Sequence, residues 1–600
     1  MILVFGGTTE GRRAVEVLEK AGSPYFYSTK TGEQEVTLHN GQRIAGAMDY
    51  ETMLAFCQQH AIRLIVDAAH PFASRLHETI TKVAESMHIY VVRYERIYPP
   101  RDPAIEWIDD YSQIPTNIHS LFATTGVQHI HHLKHLEAQG VKVIYRILNR
   151  ESSIRLAHEQ GATNAQLCFY PQMAEAEAML VKESGESGGF SEKVEAAKAM
   201  GMRIIAIRRP EPPMGNGHWT MVNGPYGLRR AIEKLLPKFY PLHSGLTTGT
   251  CATAAAIAAT KQLLSGEQPK EVSVILPNGE TICVPVCYGN NYAYCIKEAG
   301  DDPDVTNGIE VRASSFPLPE EGGGLCCSDL LPLRIGLPDI EVFAGDGIGR
   351  FTLPGFDFPV GEPAVNRVPR EMIRENLANT LHHSVTPSLH RFSIVLSVPN
   401  GEEIARRTFN PRLGIEGGIS IIGISGIVKP YSEEAFIQSI RKCMEVAKAS
   451  GSERVVIGSG MKSEQQLRTL YPNLPRQAFV EYGNYIGETL RMANELGFPH
   501  VTLGIMIGKA VKLAQGHLDT HSRRITMNKA FVAQLLHEAN CPLSNDLFQL
   551  AQLTVARELW DILSPDESDR FSKVIIAHCY EHCSPLLPNG ELTILLLKNE

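Results

Sequence analysis

No window of this sequence approaches the length of a membrane-spanning helix, and neither a basic leader nor a small-residue cleavage site accompanies the apolar run Ile2-Leu3-Val4-Phe5. These absences argue against a helical membrane protein and predict a cytoplasmic one. Cysteine is sparse, with 12 in 600 residues, and lacks the close, regular spacing of a disulfide framework, as fits a reducing compartment. Positive charge is not in excess either. A net charge of −9 argues against nucleic acid or an anionic membrane as partner, while local basic patches remain open to an acidic small molecule. What is abundant is ordinary globular material: 43% hydrophobic residues, 20% charged residues and 50 glycines, the balance of an α/β enzyme. A chain of this length exceeds one hydrophobic core, and about three to five compact units are expected.

Along residues 1–210 short β-rich runs (ILVF, YFYST, RLIVDA, IYVV) alternate with helical stretches, the pattern of a parallel sheet covered on both faces. A proline-containing polar stretch from Tyr98 to Gln113 interrupts the alternation, which predicts two lobes, about 1–97 and 114–210, with a cleft between them. The turn-rich exit from Pro210 to Gly217, the helix near Tyr226 and the prolines 237 and 241 are taken as a linker over 211–242. Glycine-rich turns and alternating strands then predict an α+β subdomain over about 243–430. A renewed helix and strand alternation predicts a second α/β subdomain over 431–600.

The strand ILVF runs into Gly6-Gly7-Thr8-Thr9-Glu10-Gly11 and straight into a helix. Glycines there admit a pyrophosphate to the backbone, and the helix N-terminus complements its charge. The bland alternative is a tight turn that binds nothing. The next strand ends Ser28-Thr29-Lys30 rather than in the acidic residue that holds a ribose 2′-hydroxyl, which predicts NADPH over NADH. His70, in Asp67-Ala68-Ala69-His70-Pro71-Phe72-Ala73, lies at the end of a third strand, where ligands of open sheets collect.

In the second half Thr247-Thr248-Gly249-Thr250 precede a helix without the lysine of a phosphate-binding loop, which excludes a nucleotide triphosphatase of that kind. The run Lys297-Glu298-Ala299-Gly300-Asp301-Asp302-Pro303-Asp304 is compatible with a metal, with a cationic ligand such as a sulfonium, or with Asx turns. Two histidine groups, His129 to His135 and His578 to His582, read as polar helix faces, because no second ligand pair accompanies either, and no metal is expected.

Taken together, GGTTEGR, DAAHPFA, Arg93-Tyr94-Glu95-Arg96, Lys182-Glu183-Ser184-Gly185 and Arg208-Arg209-Pro210 make residues 1–210 resemble the precorrin-6A (cobalt-precorrin-6A) reductase family, with Ala69 where that family usually has Thr. Residues 243–525 resemble the cobalt-precorrin-5B C-1 methyltransferase family through AGDDPDVTNG, VGEPAVN and TFNPRLGIEGGIS. The second half departs from its family at Glu298, at Ile505-Met506 before Ile507-Gly508-Lys509, and in the stretch Asp519 to Arg524.

The resemblances imply an α/β fold: a two-lobed Rossmann-like parallel-sheet reductase, then the α+β and the second α/β subdomains. They imply a bifunctional enzyme of cobalamin biosynthesis acting on cobalt-precorrin tetrapyrroles with NADPH and S-adenosylmethionine, the cobalt being carried by the substrate. In this scheme Gly6, Gly7, Thr8, Thr9, Glu10, Gly11, Ser28, Thr29 and Lys30 bind the nucleotide, and His70 is the candidate proton donor. Arg93, Arg96, Lys182 and Arg208 meet substrate carboxylates. On their charge alone, Asp301, Asp302 and Asp304 favour the cationic donor, Asp301 and Asp302 as the candidate catalytic pair, and Arg370 and Arg412 anchor the second site's substrate. One alternative keeps only the reductase active, above a corrinoid-binding scaffold. Another is a dinucleotide-sensing protein. A homo-oligomer is compatible with the sequence.

Overall fold

The computed structural model describes residues 1–30, 32, 34–211, 219–318, 330–382, 391–521, 525–542 and 552–598. The predicted feature at Ser522-Arg523-Arg524 and the core of the predicted linker, 212–218, lie outside the described residues. The chain divides into two compact units: Met1–His243 with Ser273–Cys283, and Ser244–Val272 with Val284–Glu600. Among the described residues no helix is long and apolar enough to cross a membrane.

The first unit holds two parallel six-stranded sheets. The first contains β1 (Ile2–Phe5), β2 (Tyr25–Thr29), β3 (Gly41–Ala45), β4 (Leu64–Asp67) and β5 (Tyr90–Tyr94). The second contains β6 (Glu106–Ile108), β7 (Ser120–Ala123), β8 (Lys142–Ile147), β9 (Leu167–Phe169), β10 (Ala178–Lys182) and β11 (Arg203–Ile207). A last strand, β12 (Trp219–Val222), returns to the first sheet and pairs with β5, giving the order β3-β2-β1-β4-β5-β12. That is the arrangement of a dinucleotide-binding sheet, with its switch point between β1 and β4. The near-continuous burial of β1, β4, β7 and β10 follows from cover on both faces.

Two expected boundaries are corrected. Residues 219–242 are not wholly linker, because β12 completes the first sheet and the helix Pro225–Leu235 buries Leu228 and Ile232 in the same core as Val15 and Leu18. The four-residue strand was hidden behind the proline-rich exit. The second lobe begins before residue 114, since β6 is hydrogen-bonded to β11.

The second unit begins with α+β architecture. Its six-stranded mixed sheet is ordered Cys287–Tyr288, Ala293–Ile296, Glu310–Pro317, Phe392–Ser397, Ile340–Ala344, Leu331–Leu333, and only the pair 340–344 with 392–397 is parallel. The Ala-rich helix Thr248–Ser265 is buried from Thr248 through Thr260. Its threonines bind the chain at 420–426: Thr248 Oγ1 accepts from the Ile422 amide at 2.8 Å, and Thr250 Oγ1 donates to the Gly426 carbonyl at 2.6 Å. The TTGT run is therefore a weld between helix and loop.

A second, four-stranded parallel sheet follows, built from β13 (Arg454–Gly458), β14 (Phe479–Glu481), β15 (His500–Met506) and β16 (Glu591–Leu597) in the order β14-β13-β15-β16. The α/β, α+β, α/β succession expected from the sequence is the one observed.

Candidate functional site

In the first unit the carboxyl ends of β1, β4 and β5 come level, with Phe5 beside Asp67 and Asp67 beside Arg93. The turn after β1 is shaped by Gly6, where a Cβ would overlap the Tyr27 phenol, and by Gly7, at φ +89 with open space around it. Thr8 caps the helix Thr9–Glu19, accepting from the Gly11 amide at 3.0 Å while its hydroxyl donates to the Ala68 carbonyl at 2.6 Å. The Gly7 amide is hydrogen-bonded to Gln34 at 3.0 Å. The amides of Thr9 and Glu10 have no acceptor among the described residues, which suits an oxyanion at the helix start. Ser28 and Thr29 are buried at the end of β2, and Lys30 beyond them is exposed.

The loop after β4 is held from below. Asp67, fully buried, receives Arg93 Nη1 at 2.9 Å and lies 2.7 Å from His77 Nδ1. Arg93 also donates to the Ala69 carbonyl at 3.0 Å, and His77 Nε2 lies 3.0 Å from the His70 carbonyl. His70 is thus carried on a pinned loop, where its Nδ1 accepts the Phe72 amide at 3.2 Å. Burial, reinforced by Arg96 and Lys182, pushes His70 down to about 3. At neutral pH the ring is then a neutral imidazole whose hydrogen sits on Nε2, since Nδ1 accepts from Phe72.

Several predicted ligands have internal partners instead. Arg93 is 1% exposed and is neutralised by Asp67 and Glu95. Arg96 donates to Glu10 at 2.9 Å and to the Ser184 carbonyl at 2.6 Å, and Glu10 also accepts from Ser187, so this pair ties the first lobe to the second. The Glu10 side chain is thus engaged in a tie between the lobes, while Arg93 and Arg96 are buried and internally paired. Arg208 makes a partly exposed ion pair with Asp109 at 2.8 Å.

Lys182 differs. It is 9% exposed at the end of β10, lies 4.7 Å over the Phe72 ring and has no carboxylate partner among the described residues. Burial pushes it down to about 8. Two cations absent from the sequence-based set accompany it. Lys193, also brought to about 8 by burial and then by Arg146, donates to the Gly188 carbonyl at 2.9 Å. Arg146 is 9% exposed, over Phe122 and Tyr170, and likewise has no carboxylate partner among the described residues. Burying cations without counter-charge is costly unless an anion arrives. His129, lowered to about 4 by burial and Lys182, stacks on Tyr111 together with His132.

In the second unit the acidic run forms turns. Asp304 pairs with buried Lys297 and accepts from Thr306, while Asp302 accepts the Tyr431 amide at 2.9 Å. Asp301 is exposed. The Asp304 carboxylate is thereby engaged by Lys297. Arg370 is internally engaged as well: 4% exposed and 3.6 Å over Phe358, it donates to the carbonyls of Val365 (2.9 Å) and Pro363 (3.1 Å) and to Glu362. It latches the loop that carries Gly361 to Asn366. Lysine cannot reproduce that fork, so Arg370→Lys is expected to lower unfolding stability by about 1–3 kcal/mol, read from urea denaturation followed at Trp560.

Arg412, the other predicted anchor of this unit, is partly exposed and paired with two carboxylates. It lies 2.9 Å from Glu464 and 3.8 Å from Glu481, beside Phe409. Burial raises the Glu481 carboxyl above its usual range despite Arg412. Lys509, lowered to about 8 by burial, donates to the Gly483 carbonyl and to Asn484 Oδ1 at 2.9 Å. Met506 ends β15 and starts the helix Ile507–Ala514.

The comparisons with known proteins fall on the same two units. Residues 1–223 match the family described as Precorrin-6x reductase CbiJ/CobK, and residues 237–430 match the CbiD family. The Cobalt-precorrin-5B C(1)-methyltransferase of Prosthecochloris aestuarii is 41% identical over 364 residues, which are 59% of this chain and 94% of that protein. The crystal structure of the cobalamin biosynthesis protein cbiD from Archaeoglobus fulgidus is 28% identical, with 47% of this chain and 83% of that one covered at a TM-score of 0.26. A solved CobK precorrin-6A reductase is 17% identical, covering 39% of this chain and 97% of its own at a TM-score of 0.32.

Proposed function

Since the chain belongs to the cobalt-precorrin-5B C(1)-methyltransferase family and joins to it a precorrin-6x reductase region of cobalamin biosynthesis, we propose that it is a bifunctional enzyme catalysing two consecutive steps. The second unit transfers a methyl group from S-adenosylmethionine to C-1 of cobalt-precorrin-5B. The first unit reduces the resulting cobalt-precorrin-6A with NADPH. Chain order then runs opposite to reaction order.

The observation that carries the reading is buried Lys182, without a carboxylate partner among the described residues and lying over Phe72 of the His70-Pro71-Phe72 loop, with half-buried Lys193 acting on the same His70. A ring fringed with acetates and propionates supplies the missing counter-charge. The free amides of Thr9 and Glu10 suit a pyrophosphate, and Ser28, Thr29 and Lys30 suit a 2′-phosphate. When bound there, NADPH supplies the hydride. The protein's own task is to orient the ring and deliver a proton to the carbon beside the one that takes the hydride. With His70 held neutral, Lys182 is the better-matched proton source, and His70 orients substrate through its Nε2 hydrogen.

The test uses the whole chain. With cobalt-precorrin-5B, NADPH oxidation followed by absorbance is expected only when S-adenosylmethionine is also present; with cobalt-precorrin-6A it is expected without the methyl donor. Absence of NADPH consumption with cobalt-precorrin-6A would sink the reductase reading, and absence of ring methylation by mass spectrometry would sink the methyltransferase reading. Nucleotide choice is tested separately. Lys30→Ala should reduce the preference for NADPH over NADH by about 10-fold, the worth of one charge-assisted hydrogen bond; an unchanged ratio of kcat/KM values excludes Lys30 from the 2′-phosphate.

A further inference from the structure

The methyl donor needs a pocket, and the run Asp301 to Asp304 is a set of turns whose aspartates 302 and 304 hold Tyr431 and Lys297. The second parallel sheet offers a better one. From β13 the chain passes to β14 on one side and then to β15 on the other, so β13 and β15 are neighbours at a topological switch point. Open α/β sheets take their ligands in the crevice outside the carboxyl ends of such strands.

Three pieces line that crevice. β13 ends at Gly458, and Gly458-Ser459-Gly460 leads into the helix Met461–Leu470. A Cβ at Gly458 would press on Ser463 at 2.9 Å, so glycine permits the close approach of strand and helix. At the end of β14, about 20 residues on, stands Glu481, the position from which an acidic side chain meets ribose hydroxyls in nucleotide-binding sheets. Its carboxylate lies near Gly460: a Cβ built there would be 3.4 Å from Oε1. Beyond Glu481, Lys509 fixes the Gly483-Asn484 turn, and Arg412 of the TFNPRLG motif reaches Glu481 from the other subdomain of the same unit. The signature motif and the crevice therefore meet at one carboxylate.

We propose that this crevice binds the adenosyl part of the methyl donor, with Glu481 accepting hydrogen bonds from the ribose hydroxyls and the Gly458 to Gly460 turn facing the amino-acid end. The proposal rests on the methyltransferase reading above. It places the donor beside Arg412, which is close enough to hold a carboxylate of the ring to be methylated.

The test measures binding of S-adenosylhomocysteine and of its 2′-deoxy counterpart to the full chain by calorimetry. The wild-type protein should prefer the ribose form by about 10- to 100-fold. Glu481→Ala should lose that preference, and the isosteric Glu481→Gln should show a reduced one, with cooperative thermal unfolding confirming both folds. Gly460→Val should weaken both ligands alike. If S-adenosylhomocysteine binds and its ribose preference survives in both Glu481 variants, the placement is overturned while the methyl-donor reading stands. If the wild-type chain binds no S-adenosylhomocysteine, the methyl-donor reading falls and the placement with it.

Discussion

Lys182→Met is expected to lower kcat/KM for NADPH-dependent reduction of cobalt-precorrin-6A by about 100-fold or more, the usual worth of a positioned acid. Methionine keeps most of the stem that packs over Phe72 at 4.7 Å and removes only the charge. Because the lysine carries no carboxylate partner among the described residues, its loss should leave stability unchanged or improved. The pH profile gives the sign. Burial brings Lys182 down to about 8, so it is protonated below that pH and neutral above it. The wild-type rate should therefore fall as pH rises through about 8, and the variant should show a low, flat profile. Lys193 titrates in the same range. An alkaline limb that persists in Lys182→Met but disappears in Lys193→Met would transfer the role to Lys193. Wild-type rates in Lys182→Met would remove Lys182 from the reaction.

Much of the architecture was legible because it depends on period. The alternation of buried strands and helices in residues 1–210 and after 431 announces parallel sheets, and the glycine run after β1 announces the turn from the first strand into its helix. Side-chain roles were harder for a physical reason. A charged residue in a motif looks the same whether its partner is a ligand or a buried carboxylate distant in sequence. Arg93 meets Asp67 across 26 positions and Arg96 meets Glu10 across 86, separations that no local pattern encodes. Arg370 likewise reads as an anion anchor until its carbonyl partners are seen. Arg146 is the opposite case, a lone cation in the strand KVIYRI whose functional promise appears only once Lys193 stands near it. The crevice at Glu481 was within reach of sequence. The same rule that singled out Gly6 to Gly11 applies to Gly458-Ser459-Gly460 and an acidic residue about 20 positions later.

Asp67→Ala should destabilise the first unit by about 3–5 kcal/mol, the cost of leaving a buried cation half-compensated. Arg93, 1% exposed, would keep only Glu95 at 3.1 Å, and His77 would lose its acceptor. The contribution has a definite pH dependence. Burial alone would raise the Asp67 carboxyl, but Arg93 and His77 outweigh it and hold it below the usual range. Its stabilisation is therefore fully present above the unfolded carboxylate value of about 4 and is lost as pH falls further. Urea unfolding followed at Trp107 and Trp219, both in the first unit, should show the deficit at neutral pH and a narrowing gap from the wild type in acid. Catalysis should fail together with stability, because the same carboxylate sets Arg93 under the Ala69 carbonyl and His77 under that of His70. Asp67→Asn separates the two effects: the amide can still accept from Arg93 and keep the loop in place, so it should recover part of the reductase rate while remaining less stable than the wild type. If Asp67→Ala unfolds at the wild-type urea concentration, the buried pair is not what pins the His70 loop.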